Sequence, residues 1–163
     1  MRKLAQEIGY SPGSVYLHFK SKQELFGCLV EESFAHLLKV LMDLRGHEAH
    51  DPVRELKKGM RAYVEFGLRN PNDYCVAFML PPSVENHPYK VHPAFQALRH
   101  MVGRCVDEKR FGRVDVETTS QVLWTSIHGI TSLLIQRPTF PWVSRSKLIA
   151  QLIDTVVGGL VAS

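Results

Sequence analysis

The sequence predicts an all-α protein, a small N-terminal helix-turn-helix joined to a larger bundle of helices. Three observations carry that expectation. Apolar residues recur at three- and four-residue intervals along most of the chain. Strand-like alternation is scarce. The breaks between apolar stretches are Ser, Asp, Asn, Pro and Gly, the residues that begin and end helices.

Taken in order, Met1 to Ile8 reads as a short helix stopped by Gly9. Ser11 is placed to cap a second, with Pro12 at its first position, where a missing N–H costs nothing. That helix is expected to reach about Lys20. Ser21-Lys22-Gln23-Glu24 has the form of a capping box and opens a long helix. Its apolar stripe is Leu25, Phe26, Leu29, Val30, Phe34, Leu37, Leu38, Leu41 and Met42. After a break at Gly46 to His50, Asp51-Pro52 begins a helix striped by Val53, Leu56, Met60, Tyr63, Val64 and Gly67. Asn70-Pro71-Asn72 reads as a turn and Asp73 to Leu80 as a short helix. Residues 81 to 93 hold four of the nine prolines and read as a loop. The last three helices are expected at about Pro93 to Lys109, Val116 to Ile135 and Ser144 to Val161. The final two are apolar on more than one face, which a second subunit would explain.

The length suits one good core or a small module fused to a larger one. No apolar run is long enough to span a bilayer and no signal peptide opens the sequence, so a cytoplasmic protein without membrane contact is expected. Cys28, Cys75 and Cys105 are odd in number and widely spaced, which fits reduced thiols better than a disulfide or zinc framework. The net charge of +4 is unevenly placed: residues 1 to 22 carry Arg2, Lys3, Lys20 and Lys22 against Glu7 alone. A positive end of this kind attracts a phosphate backbone. A second basic stretch, Arg99 to Arg113, fits an ordinary solvated face equally well.

Residues 4 to 26 read LAQEIGYSPGSVYLHFKSKQELF. Two short helices meet at a glycine turn, Ala5 is small enough to let them pack, and Leu4, Ile8, Val15 and Phe19 are expected to form the shared interior. Ser14, Tyr16, Leu17 and His18 are left outside, where hydroxyl, aromatic and imidazole groups can meet base edges and phosphates. Lys22 and the first amides of the third helix suit a phosphate. This run of leucine-alanine, glycine, serine, aromatic, phenylalanine and serine-lysine resembles the helix-turn-helix of the TetR family of transcriptional regulators. The resemblance implies that Ser11 to Lys20 is the recognition helix. It places Ser11, Pro12, Gly13, Ser14, Tyr16, Leu17 and His18 against double-stranded operator DNA, with Lys22 on the backbone. Relative to the family pattern, the helix usually found ahead of Leu4 is lacking. The unit is therefore expected to be incomplete, from an upstream start, a loss or a product that binds DNA poorly.

Further on, Ala62-Tyr63, Phe66, Asn70-Pro71, Tyr74 and Phe78 resemble one branch of the family's ligand-binding domains, as does the Trp124, His128, Gly129 signature. The resemblance implies a DNA-binding domain over 1–22 and a helical effector-binding and dimerisation domain over 23–163. The last two helices would pair with those of a second copy, through Thr118 to Ile135 and Leu148 to Leu160, with Gly158-Gly159 allowing close contact. Two heads about one DNA turn apart then read a palindrome. An unidentified small molecule would lower DNA affinity by binding the incompetent state better. Phe66, Phe78, Met79, Phe95, Leu98 and Met101, with Trp124, are the candidate lining of an apolar pocket, and His128 and Arg99 its candidate polar handles. A buried, hydrogen-bonded His128 beside a core tryptophan is the favoured alternative for that histidine.

Other patterns are weaker. His47-Glu48-Ala49-His50-Asp51 has histidines three apart rather than four, so no metal site is expected. Ser144-Arg145-Ser146-Lys147 has a serine-to-lysine spacing used in catalysis without its companion motifs, and suits a helix cap. Cys75 has no evident histidine partner. Without paired carboxylates, a phosphate loop or a nucleophile elbow, no enzyme and no cofactor are expected. The rival expectation is a DNA-silent helical ligand-binding protein derived from such a regulator.

Overall fold

The computed structural model describes residues 2–43, 51–79 and 92–162, and eight helices lie among them. These are α1 (Arg2–Glu7), α2 (Pro12–His18), α3 (Lys22–Asp43), α4 (Pro52–Arg69), α5 (Pro71–Phe78), α6 (Pro93–Asp107), α7 (Val116–Gln136) and α8 (Arg145–Gly158). The His47–His50 pattern and the proline-rich stretch at 81–91 lie outside the described residues.

The capping logic of the sequence accounts for most of the boundaries. Gly9 has φ +73°, and it closes α1 with the paired bonds Gly9 N to Gln6 O (3.3 Å) and Tyr10 N to Ala5 O (2.9 Å). That is the Schellman ending for which glycine is favoured. Lys109 makes the same ending on α6 at φ +54°, with Lys109 N to Val106 O and Arg110 N to Cys105 O at 3.0 and 2.8 Å. Ser11 Oγ accepts from Ser14 N (3.1 Å), Asp51 from Val53 N (3.1 Å) and Asp115 from Thr118 N (2.7 Å).

Some details differ from expectation. Ser21 Oγ accepts from Glu24 N at 3.0 Å, but the Glu24 carboxylate takes the amide of Lys20 at 2.6 Å rather than that of Ser21. α5 begins at Pro71, two residues early, because proline fits the first helical position and Asn70 serves both helices as a boundary. α2 ends at His18, as Phe19 turns to extended backbone. Ser144 stands at the α8 cap position, yet its hydroxyl meets Ser146 Oγ at 2.9 Å instead of a helix amide.

The core lies where α4 is surrounded. Its buried face (Val53, Leu56, Met60, Tyr63, Val64, Phe66 and Gly67) meets α3, α5, α6, α7 and α8. Gly67 is required there, since a Cβ would fall 2.5 Å from Thr131 Cγ2 and 2.7 Å from Tyr74 Cδ2. Ion pairs fasten the rim, including Lys57 to Asp154 (2.7 Å) between α4 and α8 and Arg104 to Glu55 between α6 and α4. After α8 the chain returns to the α6–α7 connection, where Gly112 N meets Leu160 O and Ala162 N meets Arg110 O, both at 3.0 Å.

At the N-terminal end α1 and α2 pack on each other, with Ala5 and Val15 buried between them. Of the four residues expected in the shared interior, Val15 is buried, Phe19 is half-buried and Ile8 is 52% exposed, while the Leu4 side chain lies outside the described residues.

Candidate functional site: an exposed helix and an apolar cavity joined by α3

The residues expected to meet DNA stand together on α2 and the start of α3. Ser11, Pro12, Gly13, His18 and Lys22 are exposed, and Ser14 is half-buried by its contact with Ser11 Oγ at 2.9 Å. Tyr16 is 51% exposed and Leu17 is 85% exposed, so an apolar side chain faces solvent at the centre of the surface. Val15 alone turns inward to hold the helix. Lys22 Nζ lies 5.3 Å from the centre of the Phe26 ring, which supports the stem while leaving the ammonium in water.

A cavity of about 310 Å³ lies between α3, α4, α6 and α7. Its walls are Phe34, Leu37 and Leu41 from α3, and Met60 and Tyr63 from α4. Phe95, Leu98 and Met101 come from α6, and Trp124 and Ile127 from α7. Of the residues named from sequence, Phe78, Phe95, Leu98, Met101 and Trp124 are brought together on it. Four lie elsewhere. Phe66 is core, with its ring 5.0 Å edge-on from His36. Met79 packs on Cys75, their sulfurs 3.4 Å apart. Arg99 sits at the rim with Nε 2.8 Å from Glu117 Oε2. That buried Nε makes no aligned hydrogen bond, so the contact is one of charge.

His128 stands one helical turn beyond Trp124, behind the cavity wall. Tyr74 Oη is 2.6 Å from His128 Nδ1 and 3.2 Å from Tyr63 Oη, and Trp124 Nε1 is 3.3 Å from Tyr63 Oη. An indole can only donate, so Trp124 donates to Tyr63. With Nδ1 of a neutral ring as the acceptor, Tyr74 donates to His128 and Tyr63 to Tyr74. The imidazole proton then belongs on Nε2, 3.3 Å from Ser132 Oγ. Burial lowers the His128 pKa below its ordinary 6.5, so the neutral ring this chain requires is also the favoured one. Burial likewise raises both phenols above their ordinary value, keeping their hydrogens in place.

Sequence reasoning missed the α3 wall, because Phe34, Leu37 and Leu41 belong to a stripe that reads as plain core. Tyr63 was named as a stripe residue and as part of the stretch resembling a ligand-binding branch, but not as a cavity residue. The available signal was that Tyr63, Tyr74 and Trp124 all carry a polar tip that a core must satisfy. Gly129 has no neighbour within 4 Å of a Cβ placed on it.

With this arrangement in view, the comparisons with known proteins agree. The model of the tetracyclin repressor-like C-terminal domain matches residues 56–156, and that of the bacterial regulatory proteins of the tetR family matches residues 1–28. The chain belongs to the TetR family. It is a DNA-binding transcriptional regulator. No curated protein matches. Among solved structures, it is similar to a protein of unknown function from Rhodococcus sp. RHA1, at 20% identity and TM-score 0.76, over 99% of this chain and 84% of that one. It is also similar to the TetR family transcriptional regulator PfmR from Thermus thermophilus, at 20% identity and TM-score 0.72, over 99% and 88% of the two chains. At that identity the likeness is one of fold. TetR-family regulators bind operator DNA and small-molecule effectors and act as dimers. Among the described residues no helix is long and apolar enough to cross a membrane.

Proposed function

We propose that this TetR-family regulator is a cytoplasmic repressor released from operator DNA when a small apolar effector fills the cavity. One observation carries the reading. α3 is a single helix of 22 residues, about 33 Å long. It begins beside the α2 recognition surface and ends with Phe34, Leu37 and Leu41 in the cavity wall. A ligand that spreads the wall tilts a rigid rod whose far end carries the head, and the spacing of two heads on DNA changes. For the ligand to release DNA it must bind the tilted state better.

Two copies pair, in this reading, through the outward faces of α7 and α8. Val122 and Leu133 of α7 are 54% and 51% exposed, an apolar surface at the place where family members dimerise. Gly129 and Gly158 leave open space that a neighbouring helix would enter. Val157, near the end of α8, is fully buried within the subunit and is not part of this face. A charge there would unfold the core before it could test a dimer.

The test is DNA binding of the protein to its own upstream intergenic region at two salt concentrations, with and without candidate effectors. Tight, salt-sensitive binding that falls when the cavity is occupied supports the reading. DNA affinity unchanged by any ligand shown to fill the cavity would remove the effector-release mechanism.

A further inference from the structure

The cavity's chemistry narrows what it takes, resting on its reading as an effector site. Its walls are aromatic rings, methionines, leucines and an isoleucine, and the polar groups of its rim come chiefly from one face of α7: Glu117, Gln121 and Thr125. The Glu117 carboxylate is already committed. Oε1 accepts from Gln121 Nε2 at 3.0 Å, and Oε2 faces Arg99 Nε at 2.8 Å. The pair presents no net charge to the interior. The other ionisable group on the wall besides Tyr63 is His92. Its Nδ1 accepts from Ala94 N at 3.2 Å, its ring stacks on Phe34 at 3.9 Å, and burial lowers its pKa. It is therefore a neutral cap of α6 rather than a cation for a ligand.

Among the described lining residues, then, no unbalanced charge is available to a ligand ion of either sign. An ion entering an apolar cavity without a counter-charge loses its hydration uncompensated. What remains at the rim is hydrogen-bonding capacity. Thr125 donates its hydroxyl hydrogen to Val122 O at 2.9 Å, which leaves the oxygen as an acceptor, and Gln121 keeps its amide oxygen. We infer that the effector is an uncharged aromatic or alicyclic molecule ending in a hydroxyl, its ring system between Phe95, Trp124 and Met101 and its hydroxyl at Gln121 and Thr125.

Three probes on one framework test this: biphenyl-4-methanol, biphenyl-4-carboxylate and biphenyl-4-methylammonium, titrated calorimetrically into the full chain at neutral pH. The alcohol is expected to bind at least about tenfold tighter than either ion, and Thr125→Trp, at the exposed rim, is expected to abolish that binding. Glu117→Gln leaves Arg99 uncompensated and is expected to raise carboxylate affinity about tenfold with little change for the alcohol. A carboxylate or ammonium that equals the alcohol in the native protein overturns the inference and leaves the cavity an effector site. An alcohol that binds best but is unmoved by Thr125→Trp overturns it too, because the ligand is then elsewhere. Binding by none of the three overturns both the inference and the effector reading on which it rests.

Discussion

Tyr74 is fully enclosed, yet its hydroxyl is the middle link between Tyr63 and His128. Tyr74→Phe removes the hydroxyl's contacts with Tyr63 Oη, His128 Nδ1 and His128 O, and leaves His128 Nδ1 to Tyr63 alone, 3.4 Å away. We expect a loss of about 1–2 kcal/mol in denaturant unfolding, the cost of one imperfectly satisfied buried group. The pH dependence has a definite sign. The folded state holds His128 neutral with a lowered pKa, so the unfolded chain takes up the proton first. Stability is therefore full above about 6.5 and falls as pH drops from there toward the lowered folded value. A His128→Gln variant should flatten that part of the profile, and an unchanged profile would transfer the effect to another group such as His92. At the other end of the molecule, Tyr16→Ala should weaken DNA binding strongly at unchanged melting temperature, since the ring packs on little. Lys22→Ala should weaken all sequences alike and lower the salt slope by about one. A changed sequence preference would instead place Lys22 at a base. Tyr16 and Lys22 were legible as candidates because a recognition surface is local, defined by one short consecutive run. The tyrosine–histidine chain was not, because its members come from α4, α5 and α7 and nothing in sequence spacing joins them.

Helices are where the sequence reading was strongest and where its errors are small and physical. The expected caps formed at Ser11 and Asp51, and Asp115 adds one that was not expected, because a side-chain oxygen two or three residues from free amides is a local device. α5 was misplaced by two residues because Asn-Pro-Asn suits a turn and a helix start equally well. The α3 stripe was identified, but periodicity says which residues face inward and not whether they meet a neighbour or a void. That is why Phe34, Leu37 and Leu41 were missed as cavity wall. α4 offers the sharpest test at this scale. Gly67→Ala places a methyl within 2.7 Å of both Thr131 and Tyr74, so α4 must move away from α7 and α5. We expect about 1–3 kcal/mol of destabilisation. Gly129→Ala, with open space around it, should leave the isolated subunit's stability nearly unchanged.

For the whole molecule, the proposed release of DNA by a ligand in the cavity requires two paired copies. Val122→Glu or Leu133→Glu puts a charge on the exposed apolar face of α7 without touching the subunit core. Either should shift sedimentation from dimer toward monomer and, with the pairing of heads lost, lower operator affinity by about tenfold or more. A dimer that survives both substitutions would place the interface on another surface. The all-α class was readable because each helix signals itself. The cavity and the inward turn of Val157 depend on how helices are rotated against one another, which a single sequence does not encode in any local pattern.

The two tryptophans divide this molecule optically. Trp124 forms part of the cavity wall, donates to a phenol and meets Phe95 edge-on, while Trp142 donates to Arg137 O in the α7–α8 connection. Replacing Trp142 by phenylalanine would leave a protein whose only indole emission arises at the cavity. Its wavelength and lifetime would then follow occupancy directly, and, in the presence of labelled DNA, the order in which filling and release occur could be timed without attaching a dye to the protein.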